Sequence, residues 1–552
     1  MKTFLGDDKD FFVERILEQG YLPENIPPVF QVRNLHECWL SFKDEKYISN
    51  STSESSRYSA TKRGGSRRIY SIPNPAFMMD CAKFFLSNCD IIEEHISNTD
   101  ESASYPQFSP VNRAISISSF PEFHRSRRSK LALSRYIVRA DISRYYHSIY
   151  THSLPWALHG KSAAKLDRKI DSSTIVANRL DWILRQSQDG QTVGIPVGPD
   201  FSRIISEIIG AAIDRTFRKA HPDAPMLRLV DDIYIGADNI DEAHTRLEAI
   251  RSAIHYFELD INESKTTIIE SNFDLEPYWP VELRREIDRF QDSKLTTSLA
   301  KSDISHFLDD ILRRSNTLSD DGVVKFAIRR MDSAELWTDY WDVLEPFLMR
   351  VAVSYPHCWD YVARIVSWRY RKYSIDVYRW QDAIHTSVLR HSRMGRDSEV
   401  AWALWLLKEI KGKLSQGVAD MIIEKAGTLP CLLALDILSS DNSTAKIPKE
   451  ALTERLGDKP MLGAHWMLAY EGDRQFDLKI KTKNLQGSEL FSALYSDTVS
   501  FYDAEAKPYV FEEADDGEDV DHAIENAGAE YSDEENASAS DEDAYENAYD
   551  PF

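Results

Sequence analysis

Cysteine is scarce in this chain of 552 residues, and no two cysteines form a CxxC pair. The five thiols are Cys38, Cys81, Cys89, Cys358 and Cys431. An odd number of unpaired cysteines speaks against a disulfide framework, and their spacing speaks against a zinc site. A hydrophobic fraction of 42% instead predicts a fold held together by a sizeable core.

Long apolar runs are also missing. No stretch approaches the length needed to span a membrane, and Met1–Asp8 lacks the apolar region of a signal peptide. We therefore expect a cytoplasmic protein that has no membrane partner.

Basic residues are absent from residues 511–552, which contain 17 Asp and Glu. The net charge of −23 is therefore misleading, because the rest of the chain carries 66 basic against 72 acidic residues. A nucleic-acid enzyme is not excluded by this balance. The composition from about residue 505 predicts a disordered acidic tail whose spaced aromatic residues a partner could hold.

Two basic clusters precede the strand that carries the first candidate catalytic acid. They are Arg57, Lys62, Arg63, Arg67 and Arg68, and then Arg113, Arg125, Arg127, Arg128, Lys130, Arg135 and Arg139. Two solvated faces would explain them, but their position favours phosphate binding.

Residues 1 to about 300 mix short apolar runs with turn signals, as in an α/β domain. Residues 136–142 predict a buried strand, and an apolar stripe over residues 204–217 predicts a helix. Two further strands, 226–230 and 233–236, flank an Asp-Asp pair, which indicates a hairpin with the acids at its bend. From about 300 to 500 the pattern becomes helical, with a candidate N-cap at Ser398 and core tryptophans.

Three acids could carry phosphoryl-transfer chemistry: Asp141 at a strand end, and Asp231 and Asp232 in the hairpin. Transfer to a hydroxyl needs two divalent cations, one to lower the pKa of the attacking group and one to neutralise the triphosphate. Hard cations prefer carboxylate oxygens. An Asp-Asp pair alone is a weak signal of catalysis, so the interpretation depends on the other motifs that accompany it.

The accompanying motifs resemble, in the same order, those of reverse transcriptases. The segments are Arg67–Pro75 (fingers), Asp141–Tyr146 (first acid and an aromatic five positions on), Gly194–Ser202 (Pro-x-Gly loop), Leu229–Asp232 (Asp-Asp box) and Leu259–Thr266 (later Asn and Lys). Five motifs in order are a specific signal.

The resemblance implies roles for individual residues. Asp141 and Asp231 would bind two Mg²⁺ ions, with Mn²⁺ as an alternative and Asp232 as third acid. Tyr146 would be the steric gate that favours dNTPs, and Arg67 and Arg68 would point at the triphosphate. The Pro196 and Gly198 loop would border the nucleotide, and Lys265 would serve the pyrophosphate or be a plain surface lysine.

Residues 148–161 further resemble the abortive-infection and defence-associated reverse transcriptases of bacteria (the AbiK type). Val197 and Leu229 depart from the usual pattern beside template and primer. The resemblance implies phage defence by an RNA-directed DNA polymerase that can work without a template and prime on its own protein. Tyr47, Tyr58 and tail tyrosines are candidate hydroxyl donors, and His152 and His159 are interpreted as structural or as template contacts.

The expected fold class is an α+β palm–fingers reverse-transcriptase-like polymerase domain followed by an all-α helical-repeat domain and a disordered acidic tail. The predicted boundaries are 1–110 (N-terminal region and fingers), 111–295 (palm), 296–500 (helices) and 505–552 (tail). Expected partners are dNTPs, a DNA product that can be protein-linked, a noncoding RNA and other subunits of a homo- or hetero-oligomer.

Two alternatives stay open. One is a nucleic-acid-binding scaffold that does not polymerise, against which the intact acids argue. The other is a subunit of a defence complex containing a second reverse transcriptase and a noncoding RNA, with the tail docking a neighbour.

Overall fold

The computed structural model describes residues 4–506 apart from 45–46, 49–50, 98–99, 112, 272–278, 293–297, 334–335, 339, 441–442 and 479–488. The predicted acidic tail lies outside the described residues from 507 onward.

The N-terminal region is helical around one β-hairpin. Its elements are α1 (Lys9–Glu18), α2 (Leu35–Phe42), β1 (Ser56–Thr61), β2 (Arg67–Ile72), α3 (Pro75–Ser87) and α4 (Cys89–Ser97). Strands β1 and β2 are antiparallel and joined through Gly64 and Gly65, which both have positive φ. Glycine adopts this backbone region without steric cost, which permits the tight turn at the tip of the hairpin.

The palm comes next in the chain, and it is built on a four-stranded antiparallel sheet of order β6-β7-β5-β8. Its elements are β3 (Gln107–Phe108), β4 (Ile115–Ser116), α5 (Phe120–Lys130), β5 (Tyr136–Asp141), α6 (Tyr145–Ser148), α7 (Ser153–His159), α8 (Lys161–Leu166), α9 (Ala177–Gln186), α10 (Phe201–Ala220), β6 (Met226–Leu229), β7 (Asp232–Ala237), α11 (Ile240–Tyr256) and β8 (Thr267–Glu270). The predicted strand, helix and hairpin are confirmed in this order.

Both faces of the palm sheet are covered, which explains why its strands read as continuous apolar runs. Side chains alternate along a strand, so Ile137 and Tyr234 pack with Phe123 of α5 on one face. Val138 and Ile235 point the other way into the main core, which includes α10 and α11.

A buried ion cluster ties the sheet to α10. Arg228 on β6 has no exposed surface, and its guanidinium donates to Asp214 at 2.8 Å and to Glu207 at 2.8 Å. The two acids are seven residues apart, so they lie on one face of α10. Between them is Gly210, where an added Cβ would meet the guanidinium at 2.5 Å.

The chain then becomes helical. The helices are α12 (Trp279–Asp292), α13 (Ser298–Thr317), α14 (Gly322–Ser333), α15 (Trp341–Ser354), α16 (Trp359–Lys372), α17 (Val377–Ser392), α18 (Asp397–Glu409), α19 (Gln416–Lys425), α20 (Thr428–Ser439), α21 (Lys449–Leu456), α22 (Trp466–Phe476) and α23 (Glu489–Ser496). From α12 to α22 each helix packs on the second one after it. This is the stacking of a helical array, as the sequence predicts.

The array matches expectation except at the start of α18. The predicted core tryptophans Trp402 and Trp405 are buried. The predicted N-cap at Ser398 is wrong, because the helix begins at Asp397 and the Ser398 hydroxyl accepts a hydrogen bond from the Thr61 amide instead.

The last described segment returns to the N-terminal region. Ser500 and Arg33 exchange two backbone hydrogen bonds, and Phe501 packs against Tyr21 and Trp466. The described parts therefore share one continuous core. No helix within the described ranges is both long and apolar enough to cross a membrane.

We predict that Arg228→Met lowers the free energy of unfolding of the palm by about 3–5 kcal/mol, because it leaves two buried carboxylates without a counter-charge. The loss in the free energy of unfolding is measured by urea denaturation, with hydrogen exchange of palm peptides as the signal. The control is Arg251→Met, which removes an arginine that pairs with the exposed Glu263 at 2.9 Å. This control should cost less than about 1 kcal/mol. Equal losses in the two variants would contradict the prediction.

Candidate active site

The predicted acids meet at one end of the palm sheet. Asp141 ends β5, where it pairs in register with Asp232 of β7, and it is 3% exposed. The Ile142 amide donates to the Asp231 carbonyl at 3.1 Å. The backbone thus brings all three predicted acids to the same end of the sheet.

The bend between β6 and β7 sets the orientation of Asp231. Val230 precedes it with φ of 53°, a left-handed conformation that is costly for a β-branched residue. The bend is held from both sides, since the Val230 amide donates to the Ser104 hydroxyl and its carbonyl accepts from Arg228 at 3.3 Å. Backbone strain of this kind persists only where the surroundings fix it, and it is concentrated at functional sites.

Burial raises the pKa of both cavity carboxylates. Burial, and then the charge of Asp231, raise the pKa of Asp141 to about 6, against the opposing effect of Lys265. Burial also raises the pKa of Asp231, which Arg68 and Lys265 oppose. The Lys265 ammonium lies 3.9 Å from the Asp141 carboxylate. Two neighbouring carboxyl groups with raised pKa values form a site that favours binding of a cation.

Asp141 and Asp231 line a cavity of about 430 Å³, whereas Asp232 does not. Within the described residues, no three carboxylate, imidazole or thiolate groups converge as a complete metal site. Two carboxylates supply hard oxygen ligands that suit Mg²⁺ or Mn²⁺ and leave positions for phosphate oxygens and water. The residues present therefore fit divalent cations.

Tyr146 lines the same cavity and accepts a hydrogen bond from the Ser206 hydroxyl at 3.3 Å. Its neighbour Tyr145 points into the core, where its hydroxyl donates to the Ser206 carbonyl at 2.7 Å. Both tyrosines thus line the cavity, and their hydroxyls bond to different oxygen atoms of Ser206.

The Gly194–Ser202 loop forms the wall next to Tyr146. Gly198 has φ of 127°, and a Cβ there would meet Pro23 at 2.9 Å. The Val197 carbonyl accepts from the Ser71 amide of β2 at 2.8 Å, which joins the loop to the fingers hairpin. Gly198 lines the cavity, while Pro196 does not and instead accepts a hydrogen bond from the Ser202 hydroxyl.

The two predicted triphosphate arginines differ in their surroundings. Arg68 lines the cavity and lies close enough to lower the pKa of Asp231. Arg67 also borders it, but its guanidinium is held by the Glu399 carboxylate at 2.7 Å and the Ser59 carbonyl at 2.6 Å. The expectation that Arg67 points at a triphosphate is therefore corrected, because the helical array already supplies its counter-charge.

The second basic cluster also contains structural members. Arg113 donates to Asp200 and to the Gly198 carbonyl at 2.8 Å, which shapes the loop. Arg127 is buried and stacks over Tyr234 at 4.7 Å. The prediction that the whole cluster binds phosphate is wrong for these two residues.

Further side chains line the cavity as well. Lys62 belongs to the first basic cluster of the sequence prediction, whereas Arg144, Arg203 and Asn262 were not singled out for the site by the sequence. Asn262 donates to Asp141 and belongs to the motif containing Lys265, so that motif could have identified it. Arg203 directly follows the Pro-x-Gly loop, but it pairs with Glu24, and nothing local in the sequence reveals this pairing.

Of the candidate priming tyrosines, Tyr47 and Tyr58 are described and neither is exposed, whereas the tail tyrosines lie outside the described residues. Tyr58 lies in β1 and is fully buried, so the expectation that it is a mobile donor is wrong. Tyr47 is half-buried with Arg179 over its ring at 4.5 Å. His152 contacts Asp181 at 2.9 Å, and the His159 ring accepts from the Ala177 amide, so both histidines have structural partners.

Comparison with known proteins gives one family match and weak structural matches. Residues 63–279 match the family described as reverse transcriptase (RNA-dependent DNA polymerase). No curated protein matches the chain significantly.

The solved structures to which it is similar include telomerases of two yeasts. Apo telomerase from Candida tropicalis truncated from the C-terminal domain is 14% identical, with a TM-score of 0.28 over 44% of this chain and 56% of that one. Telomerase from Candida albicans in complex with a fragment of telomeric RNA is 11% identical, with a TM-score of 0.29 over 70% and 65%. Apo telomerase from Candida tropicalis is 13% identical, with a TM-score of 0.29 over 72% and 67%.

At these TM-scores the structural likeness supports no conclusion about substrate. The chain spans 56% to 67% of the length of these telomerase chains. The family match has more weight, because its span contains the palm sheet, the three acids, Tyr146 and Lys265. Residues 63–279 of this chain are a reverse transcriptase domain, the domain of RNA-directed DNA polymerases.

Proposed function

We propose that the chain is a DNA polymerase that joins deoxynucleotides by two-metal phosphoryl transfer at Asp141 and Asp231. The observation that carries the proposal is the pair of acids with raised pKa in a cavity also lined by Lys62, Arg68 and Lys265. Two buried carboxylates that share a cavity favour bound cations, and the surrounding basic side chains suit a triphosphate.

The residues divide the chemistry between them. Divalent cations bound here would lower the pKa of the attacking hydroxyl and neutralise the leaving pyrophosphate. Asp141 and Asp231 would hold them, while Arg68 and Lys62 would orient the phosphates. Lys265, beside Asp141, is placed to offset charge as the bond to pyrophosphate breaks. Tyr146, which lines the same cavity, would contact the sugar with its ring.

The biological role we propose is antiviral defence, with synthesis that can begin on a protein hydroxyl and without a template. The support is the likeness of residues 148–161 to abortive-infection reverse transcriptases, together with Val197 and Leu229 in place of the usual residues beside template and primer. Because Tyr58 is buried, a donor would have to be Tyr47 or a tail tyrosine.

We expect Asp231→Ala with Asp232→Ala to abolish dNTP incorporation and phage protection while the fold survives, since lost metal ligands remove transition-state stabilisation. Labelled dNTPs with Mg²⁺ are supplied with and without template, and retention of label on boiled protein reports protein-linked product. Asp238→Ala, an exposed acid next to β7, is the control and should stay active. Full phage protection by the double variant would support a scaffold instead.

Removal of the Tyr146 ring should relax sugar discrimination. We expect Tyr146→Val to raise the ratio of rNTP to dNTP incorporation by about 10-fold or more, on the scale of one lost steric contact near the transition state. The matched control is Tyr145→Phe, which removes only the neighbouring hydroxyl and its bond to the Ser206 carbonyl. An unchanged ratio for Tyr146→Val would show that this ring is not the gate.

The raised pKa of Asp141 also predicts a trade-off with stability. A folded-state pKa of about 6 against 3.8 means that the charged form is penalised in the fold above about pH 6, and that the penalty disappears below about pH 4. Asp141→Asn should therefore raise the Tm of the metal-free protein at pH 7.5 by about 2–5 °C and abolish incorporation.

This gain should vanish near pH 4, and Asp238→Asn should show neither effect. Differential scanning calorimetry in EDTA measures the Tm. A lower Tm for Asp141→Asn than for wild type at pH 7.5 would contradict the prediction.

A further inference from the structure

The fingers hairpin is covered along one edge by the helical array. Strand β1 pairs only with β2 among the described residues, so its other edge offers backbone amides. The Ser59 amide donates to the Asp397 carboxylate at 2.9 Å, and the Thr61 amide donates to the Ser398 hydroxyl at 3.1 Å. The first turn of α18 thus takes the place of a third strand.

Glu399 extends this contact across both strands. It has no exposed side-chain surface, and it accepts from Arg67 at 2.7 and 3.2 Å as well as from the Thr61 hydroxyl. Thr61 and Arg67 are partners in the β1–β2 register, so one carboxylate holds both strands at the fingertip. Charge-assisted bonds to a forked guanidinium fix orientation as well as distance.

Further contacts anchor the two ends of the hairpin to the array. At the turn, the Gly64 amide donates to the Asp321 carboxylate at 2.9 Å. At the base, the Ser56 hydroxyl donates to the Ala464 carbonyl at 2.7 Å. The array therefore holds the hairpin at its tip, edge and base, over sequence separations of 257 to 408 residues.

Adjacent residues of a strand point to opposite sides, and this places the nucleotide-facing cations. Arg67 turns to α18, whereas Arg68 faces the cavity and acts on the charge of Asp231. Lys62, at the other side of the turn, lines the same cavity. A shift of the hairpin would move both cations relative to Asp231.

We propose that Glu399 is a positioning residue for nucleotide binding: by holding Arg67 it fixes the fingers hairpin so that Arg68 and Lys62 meet the incoming triphosphate. The inference rests on the proposed function, because the triphosphate of a dNTP is the ligand. It gives the helical array a part in the reaction without contact with the substrate. A purely structural Glu399 would affect stability and leave nucleotide affinity unchanged.

The decisive variant is Glu399→Gln in the full chain. We expect the dissociation constant of dNTP with Mg²⁺, measured by equilibrium dialysis, to rise about 10-fold, and KM to rise with it while kcat stays within about 2-fold, since uniform binding is lost. Arg67→Lys, which keeps the charge but loses the fork, should show the same pattern. The double variant should be no weaker than the single variants, because both break one interaction.

Glu409→Gln is the matched control. Glu409 ends the same helix and its side chain is 9% exposed, but it pairs with Arg371 at 3.4 Å and Ser367 at 3.2 Å inside the array. Its substitution should leave nucleotide affinity unchanged. Hydrogen exchange of peptides covering residues 56–72, without nucleotide, should rise in Glu399→Gln and not in Glu409→Gln.

The outcomes separate the two proposals. Faster exchange with unchanged dNTP affinity in both Glu399→Gln and Arg67→Lys would overturn the positioning role and leave the polymerase proposal standing. A wild-type chain that binds dNTP but never incorporates it would overturn the polymerase proposal, while the affinity series would still decide the role of Glu399. A wild-type chain that binds no dNTP would overturn both.

Discussion

The proximity of two carboxylates at the end of the palm sheet is the constraint on which the rest of the structure depends. Asp141 and Asp231 have raised pKa values in a buried place, so the fold must bring positive charge to them. Lys265 comes from the palm and Arg68 from the fingers hairpin. The positive charge that offsets the two acids thus comes from both the palm and the fingers hairpin.

Holding one of these acids requires a second electrostatic arrangement behind it. The left-handed Val230 is kept in position partly by Arg228, whose own charge is neutralised by Glu207 and Asp214 on α10. A buried guanidinium with two carboxylates is costly to desolvate, but once formed it holds the backbone at the bend in one position. The strained bend and the buried ion cluster therefore act together to fix the orientation of Asp231.

The sequence predicted what depends on local spacing and missed what depends on distant partners. Strand β5, helix α10 and the Asp-Asp hairpin follow from short apolar patterns, and the ordered motifs predicted that Asp141 and Tyr146 face one cavity. No local pattern shows that Arg67 pairs with a glutamate 332 residues away. For the same reason Ser398 was predicted to cap its own helix, although its hydroxyl serves a strand of the fingers.

This long-range pairing changes how the helical array is understood. The array does not only follow the reverse transcriptase domain in the chain, since α18 completes the edge of the hairpin that carries Arg68. An unprotected strand edge would invite pairing with other chains, and a loosely held hairpin would place its cations poorly. Covering the edge with acidic and hydroxyl side chains meets both demands, because the same turn of helix that satisfies the backbone amides also holds Arg67. In the proposed polymerase, nucleotide binding in the palm and packing of the array are linked through one buried carboxylate, that of Glu399.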